Sequence, residues 1–247
     1  MSKRQIETGF YDTHCHILPG VDDGAKNIAE SLEMLKIAYE EGIRHVVLTP
    51  HFHVGHYETE AGKLQEKFEE LSEAASSVLP GMNLYPGCEV CFHMDASKRL
   101  GSGQLLTLAG TSYTLVEFFP KSEARVIIRG LREIQMGGKW PILAHVERYE
   151  ALVGNYEAIE EIISMGIQMQ VNTSAIVGKD GLRIKRFAKK LLDYEMVRFI
   201  GTDAHGAKHR RPQMKECADY ITKKWGADYT EELLIQNPEK LVRGQHF

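Results

Sequence analysis

Asp12-Thr13-His14-Cys15-His16, continuing through Leu18-Pro19-Gly20-Val21-Asp22-Asp23-Gly24, sets two imidazoles two residues apart and two carboxylates just before a glycine. In a strand, side chains two apart point to one face, so His14 and His16 can reach a common ligand. Groups of the same kind recur at Pro50-His51, Gly87-Cys88-Glu89, Ala144-His145 and Asp203-Ala204-His205. Each follows a short apolar run that reads as a strand.

The stretches between these points read as helices. Residues 10–15 form the first strand. Asn27 caps a helix, with Glu30 as its reciprocal partner, and Ile28, Leu32, Leu35 and Ala38 recur at helical spacing until Gly42. Residues 43–49 are a buried strand stopped by Pro50. A long polar helix over 58–78 shows Leu64, Phe68, Leu71 and Ala75 on one face. Strands are expected at 82–86, 113–118, 141–144, 167–171 and 197–201. Helices are expected at 125–136, 156–165, 182–194, 211–225 and 231–234, and Asn237-Pro238-Glu239 opens a last turn. Residues 101–103 read as a loop, and the strand over 167–171 ends in Asn172-Thr173-Ser174. Such alternation argues for a single α/β domain with one parallel sheet wound by helices. Polar groups gather after nearly every strand. That suits the active face of a closed or nearly closed barrel better than the one switch point of an open sheet. Residues 1–9 read as an N-terminal extension to a domain spanning 10–247.

Composition excludes several classes. The chain has 247 residues, 43% hydrophobic and 26% charged, as a globular protein does. A formal charge of -4 gives no nucleic-acid surface. No apolar run approaches the ~20 residues of a membrane span, and the first residues lack the apolar core of a signal peptide. Four cysteines, Cys15, Cys88, Cys91 and Cys217, make neither a disulfide framework nor a zinc ribbon, so a reduced, cytoplasmic protein is expected.

The strand-end residues are His14, His16, Asp23, His51, Glu89, Glu117, His145, Asp203 and His205. One ion does not need so many donors; two or three ions sharing a carboxylate do. Nitrogen and oxygen donors suit manganese, iron, zinc or magnesium. Blander readings exist for each alone: a surface His pair, an acceptor at Glu117, or a helix cap at Asp203. His45 in mid-strand and His53 in a loop take the bland reading. The joint pattern weighs against it elsewhere, because burying so many ionisable groups without a cation is very costly.

In this order the residues resemble the polymerase and histidinol phosphatase (PHP) superfamily. The opening stretch, with Thr49-Pro50-His51, Ala144-His145-Val146-Glu147-Arg148-Tyr149 and Asn237-Pro238-Glu239, is similar to the bacterial manganese-dependent tyrosine-protein phosphatases of capsule and exopolysaccharide operons. The resemblance implies a distorted (β/α)7 barrel holding up to three manganese ions. It assigns His14, His16, Glu89 and Asp203 to one ion. Glu89, Glu117 and His145 go to a second, and Asp23 (or Asp22), His51 and His205 to a third. It also places Arg148 and Arg211 (or Arg210) at the substrate phosphate, with Asp203 or His205 as a proton donor. The implied substrate is a phosphotyrosine-bearing protein, a cognate bacterial tyrosine kinase controlling polysaccharide synthesis.

A cysteine-based phosphatase requires arginine six residues after its nucleophile. The four cysteines have Val21, Met94, Ser97 and Lys223 there. Neither Gly101-Ser102-Gly103 nor Gly138-Lys139 completes a nucleotide-binding motif. Two rivals stand: a small-molecule phosphomonoesterase such as a histidinol-phosphate phosphatase, and a non-catalytic metal-binding regulatory scaffold. Phe52, Tyr57 and Tyr149 are candidate walls for a phosphotyrosine ring, with plain packing as the alternative.

Overall fold

A computed structural model describes residues 8–247 of the chain. The expected extension, residues 1–9, thus lies outside the described residues except for its last two. The strands are β1 Phe10–Cys15, β2 Ile43–Leu48, β3 His51–Phe52, β4 Asn83–Pro86, β5 Glu89–Cys91, β6 Tyr113–Glu117, β7 Trp140–Leu143, β8 Gln168–Asn172 and β9 Phe199–Gly201. The helices are α1 Ile28–Glu40, α2 Ala61–Val78, α3 Ala96–Gly101, α4 Ala124–Met136, α5 Tyr156–Ser164, α6 Thr173–Val177, α7 Leu182–Asp193, α8 Lys215–Trp225, α9 Ala227–Glu231 and α10 Asn237–Val242.

Every strand pairing is parallel. The hydrogen-bonded orders are β1-β2-β4 and β3-β5-β6-β7-β8-β9. β2 and β3 are successive pieces of one rod broken at Thr49-Pro50, where proline has no N–H for the ladder. β4 and β5 are likewise two pieces broken at Gly87-Cys88. The sheet therefore has the seven positions expected of a (β/α)7 barrel. β9 meets β1 through a single bridge, Cys15 to Ala204. Two backbone bonds flank it, His16 N to Ala204 O at 2.8 Å and Asp203 N to His14 O at 2.7 Å.

Inside the curl, Val47, Leu115, Ile142 and Phe199 meet with Leu108 and Leu241 to fill the lower half. The larger apolar cluster lies between the sheet and its helices. The upper half, above the strands' C-terminal ends, holds the polar groups.

Some expectations shift. Glu89 opens β5 instead of lying past a strand. Residues 172–174 lead into helix α6, and α3 was not anticipated. The helix expected from residue 211 begins at Lys215, because Pro212 drives Arg211 out of the helical region. Asn27 caps α1 through Glu30 N, but Glu30 answers to Lys26 N, one residue early.

Candidate metal centre

His14 lies in β1 and His16 just beyond it, so their rings share a face and their Nε2 atoms come within 3.3 Å. The other ring nitrogens are held. His14 Nδ1 lies 3.1 Å from Gln170 Oε1, His16 Nδ1 2.8 Å from Asp22 Oδ2, and His205 Nδ1 2.9 Å from the Asp203 carbonyl. An oxygen acceptor at Nδ1 keeps the ring proton there and leaves Nε2 as a lone pair. Two lone pairs then face each other, which is unfavourable unless a proton or a cation lies between them. Glu89 Oε2 is 3.2 and 3.3 Å from these two nitrogens, and Asp203 Oδ1 is 3.6 and 3.4 Å from them. Four donor atoms converge on one point.

The remaining donors adjoin it. Parallel register sets His51 beside Glu89. His51 Nδ1 lies 3.0 Å from both Glu89 Oε2 and Glu117 Oε1. His145 Nε2 lies 2.9 Å from Glu89 Oε1 and 3.7 Å from Glu117 Oε2. Asp23 Oδ1 lies 3.7 Å from the Nε2 atoms of both His51 and His205. Three overlapping groups have donor atoms within 4.8 Å of one another: His14, His16 and Glu89; His51, Glu89 and Glu117; and His16, Asp23, His51 and His205. All nine sequence candidates thus meet in one place. Asp22 differs from Asp23: its oxygens already accept from His16 Nδ1, His51 N and Gly24 N, whereas Asp23 is half exposed and faces the ring nitrogens.

The donors fit divalent cations. Glu89 Oε2, His51 Nδ1 and His145 Nδ1 are buried without a hydrogen bond of acceptable geometry, a rare condition in folded proteins. Imidazole and carboxylate together suit manganese, iron or zinc. The titration pattern agrees. Burial pulls the His16 imidazole down, yet Asp203, Asp22 and Glu89 raise it well above its usual value. His51 is likewise lowered by burial but carried up to about 10, chiefly by Glu89. Burial works against the Asp203 carboxylate, but His14, His16 and Arg148 hold it well below the usual range. Burial, then the His16 charge, brings His205 down to about 2. Protons stand where a cation would.

Local backbone is bent to make this possible. His145, Asp203 and Arg210 all have positive φ, at 31°, 52° and 48°, a conformation costing about 1–3 kcal/mol in a non-glycine residue. His145 is held there by its N–H donating to Gln170 Oε1 at 2.8 Å, and Asp203 by its bond to His14 O. Glycines clear the space at the base of the two histidines. A Cβ on Gly24 would stand 2.0 Å from His16 O, and one on Gly201 would stand 2.5 Å from His14 Cβ.

Asp203 Oδ2 faces away from the imidazoles. It pairs with Arg148 Nη2 and, at 2.8 Å, with Arg210 Nη2. Beyond lies a cleft of about 510 Å³ that both arginines line. Arg211 lines the same cleft but does not touch Asp203: His205 N donates to Arg210 O at 2.9 Å, closing a loop that turns Arg210 inward. Tyr149 and Phe52 are buried packing, and Tyr149 Oη accepts from Phe118 N. Tyr149 nevertheless lies 5.8 Å from the His145 ring, and Tyr57, which is not buried, is stacked 5.9 Å from His51.

Sequence reasoning overlooked the support beneath. Gln170 Nε2 donates to Asn172 Oδ1, Asn172 Nδ2 donates to Asp203 Oδ2, and Asn172 N donates to Glu147 Oε1. Asp12 accepts from Thr202 N and Thr202 Oγ1. The signal was the alternation Gln168, Gln170, Asn172: polar residues on one face of a strand that is buried from Met169 onward.

An all-parallel α/β barrel that gathers imidazoles and carboxylates at its strand ends has the architecture of the barrel metallohydrolases. The chain belongs to the capsular polysaccharide synthesis family CpsB/CapC, whose model matches residues 10–243. It is 34% identical over 239 residues to the tyrosine-protein phosphatase CpsB of Streptococcus pneumoniae, covering 95% of this chain and 98% of that one. It is 30% identical over 234 residues to the tyrosine-protein phosphatase YwqE of Bacillus subtilis strain 168, covering 95% and 92%. A solved structure from work on YwqE and CpsB, described as unique metal-dependent tyrosine phosphatases, superposes with a TM-score of 0.89 at 30% identity over 96% of both chains. No helix among the described residues is long and apolar enough to cross a membrane.

Proposed function

We propose that the protein is a metal-dependent protein-tyrosine phosphatase, a phosphoric monoester hydrolase whose single domain spans residues 10–247. One observation carries the reading. Asp203 presents one oxygen to the converging His14 and His16 nitrogens and the other to Arg148 and Arg210. A cation site and a phosphate site therefore share a wall.

The cofactor is manganese, with up to three ions held by His14, His16, Glu89 and Asp203; by Glu89, Glu117 and His145; and by Asp23, His51 and His205. Bound divalent ions supply Lewis acidity and lower the pKa of coordinated water toward ~7. The chain's own residues do the rest. Gln170, Asp22 and the Asp203 carbonyl hold three imidazoles in one tautomer. Arg148 and Arg210, released from Asp203 by an incoming phosphate, grip its oxygens with the planar fork that suits them and offset charge growing in the transition state. Arg211, whose role was open in the sequence, stands further along the cleft. Asp203 is ionised and His205 neutral, so both act as donors to the ions and neither is an acid at rest. A tyrosyl leaving group, with a phenol pKa of ~10, needs little acid help.

The substrate is a phosphotyrosine-bearing protein, a cognate bacterial tyrosine kinase governing capsular or extracellular polysaccharide synthesis, met in the cytoplasm. Its relatives CpsB and YwqE, both named tyrosine-protein phosphatases, support the tyrosine branch over histidinol phosphate. The test is phosphate release by chelated protein, before and after manganese, from a phosphotyrosyl peptide and from histidinol phosphate. Manganese-restored release from the peptide alone is expected. Release from histidinol phosphate alone would overturn the substrate, and silence on both with metal bound would favour the scaffold.

A further inference from the structure

The cleft beyond Asp203 is basic in a chain that is acidic overall. Arg148, Lys179, Lys208, Arg210 and Arg211 line it, against Asp180, Asp203 and Glu216, while the chain's formal charge is -4. The pairing within it is uneven. Asp203 answers Arg148 and Arg210. Glu216 answers Lys179 at 3.0 Å, and Gln213 Oε1 also accepts from that lysine. Asp180 accepts from Ser174 Oγ at 2.6 Å. Lys208 and Arg211 have no carboxylate partner among the described residues, and both are exposed on the loop that runs from His205 to Pro212. Two unpaired cations thus remain on the wall next to the arginines assigned to the phosphate.

We infer that Lys208 and Arg211 form a second anion subsite, which selects phosphotyrosines flanked by a further negative charge. This rests on the phosphatase reading above and names the substrate class of that same site. Three features argue for it. The volume of about 510 Å³ exceeds what a phosphate alone requires and suits a stretch of extended peptide. The backbone turns Arg210 in toward Asp203 and leaves Arg211 facing the cleft, so adjacent arginines serve adjacent positions. Finally, an unpaired cation beside an arginine-lined phosphate site repels basic flanks and attracts acidic ones, which is how charge sets partner choice. The shared chemistry is an anionic group on a neighbouring residue. Its source is either a carboxylate side chain or the phosphate of a second phosphotyrosine.

The experiment uses the manganese-loaded full chain and three peptides of equal length, each with one central phosphotyrosine. They are flanked by alanine, by glutamate, or by a second phosphotyrosine. The readout is kcat/KM for each anionic peptide relative to the alanine peptide, measured in the wild type and in K208Q/R211Q. Taking the ratio within each protein cancels any effect on chemistry. The wild type should favour at least one anionic peptide by about 3- to 10-fold, the range that two exposed charge pairs supply. The preference should shrink between 50 and 300 mM salt as screening grows and fall to near one in K208Q/R211Q. Preference for the glutamate peptide identifies a carboxylate subsite; preference for the doubly phosphorylated peptide alone identifies a phosphate subsite. Equal rates on all three peptides in the wild type overturn the subsite and leave the phosphatase standing. A preference unchanged in the variant, with overall activity reduced, also overturns it, because Arg211 then acts on the scissile phosphate. No manganese-dependent release from any peptide overturns both readings together.

Discussion

Asp203 touches both halves of the site, and its two oxygens divide the work. Oδ1 joins the imidazoles and Oδ2 holds Arg148 and Arg210. Removing one arginine leaves the Oδ1 side intact. Arg148→Ala should therefore lower kcat/KM by roughly 10²–10³-fold, the usual loss for one transition-state donor, while elemental analysis finds the metal content unchanged. Full activity in that variant would remove Arg148 from the mechanism. Arg210→Ala should cost more than Arg211→Ala on p-nitrophenyl phosphate, since only Arg210 reaches Asp203. The imidazoles make a second prediction. In the ion-free protein His14 and His16 are raised despite burial, and His51 reaches about 10, because carboxylates face them. At pH 7 these sites hold protons that a cation must displace. Manganese binding should release protons at pH 7, and apparent affinity should fall as the pH drops from 8 to 6. Calorimetry in two buffers of different ionisation heat measures the release. An affinity indifferent to pH would mean that the rings are already neutral.

β8 contributes none of the candidate donors, yet it orients two of them. Gln170 Oε1 faces His14 Nδ1 and accepts from His145 N, so this one side chain fixes a tautomer and a positive-φ backbone together. Gln170→Leu keeps the volume and removes both bonds, along with the one that Gln170 Nε2 donates to Asn172 Oδ1. It should weaken manganese binding about 10- to 100-fold, as loss of a ligand's orienting partner does, with the fold retained by circular dichroism. Unaltered affinity would show that His14 is oriented by packing alone. This element also marks where sequence reading stops. The convergence of the nine candidate donors was legible because an imidazole or carboxylate after an apolar strand is conspicuous and the strands repeat. Gln170 and Asn172 were not, because a neutral amide in a strand looks like any exposed polar residue until burial is known. The choice between Arg210 and Arg211 was closed to sequence for a different reason. It depends on one positive φ, in a loop where Pro212 stops the helix from starting early. Asp22 and Asp23 differ only in which way the turn before Gly24 faces, and that turn is set by contact with the His16 backbone.

At the scale of the molecule, the donors lie across the weakest line of the barrel. Most neighbouring strands share a ladder of pairs, but β9 meets β1 through the Cys15–Ala204 bridge, two backbone bonds and the Asp12–Thr202 contacts. His14 and His16 stand on one side of that seam, Asp203 and His205 on the other. Without a cation, the Asp203 carboxylate is met across it only by imidazoles that must take up protons to pair with it. A bound ion is therefore a staple as well as a reagent. Saturation at about 100 times Kd should stabilise the fold by ~2.7 kcal/mol per ion, raising Tm by about 5–10 °C for a chain of this size. The distribution of that gain is the sharper test. Hydrogen exchange should slow on adding manganese chiefly at seam amides, those of His16, Thr202 and Asp203. The amide of Ala144, which donates to Val116 O between β7 and β6, should change little, because local opening of a weak unit is cheaper than global unfolding. Equal slowing at the seam and at Ala144 would mean that the ion acts on the whole barrel through global stability. Slowing confined to the seam would make closure of the barrel a consequence of loading the site.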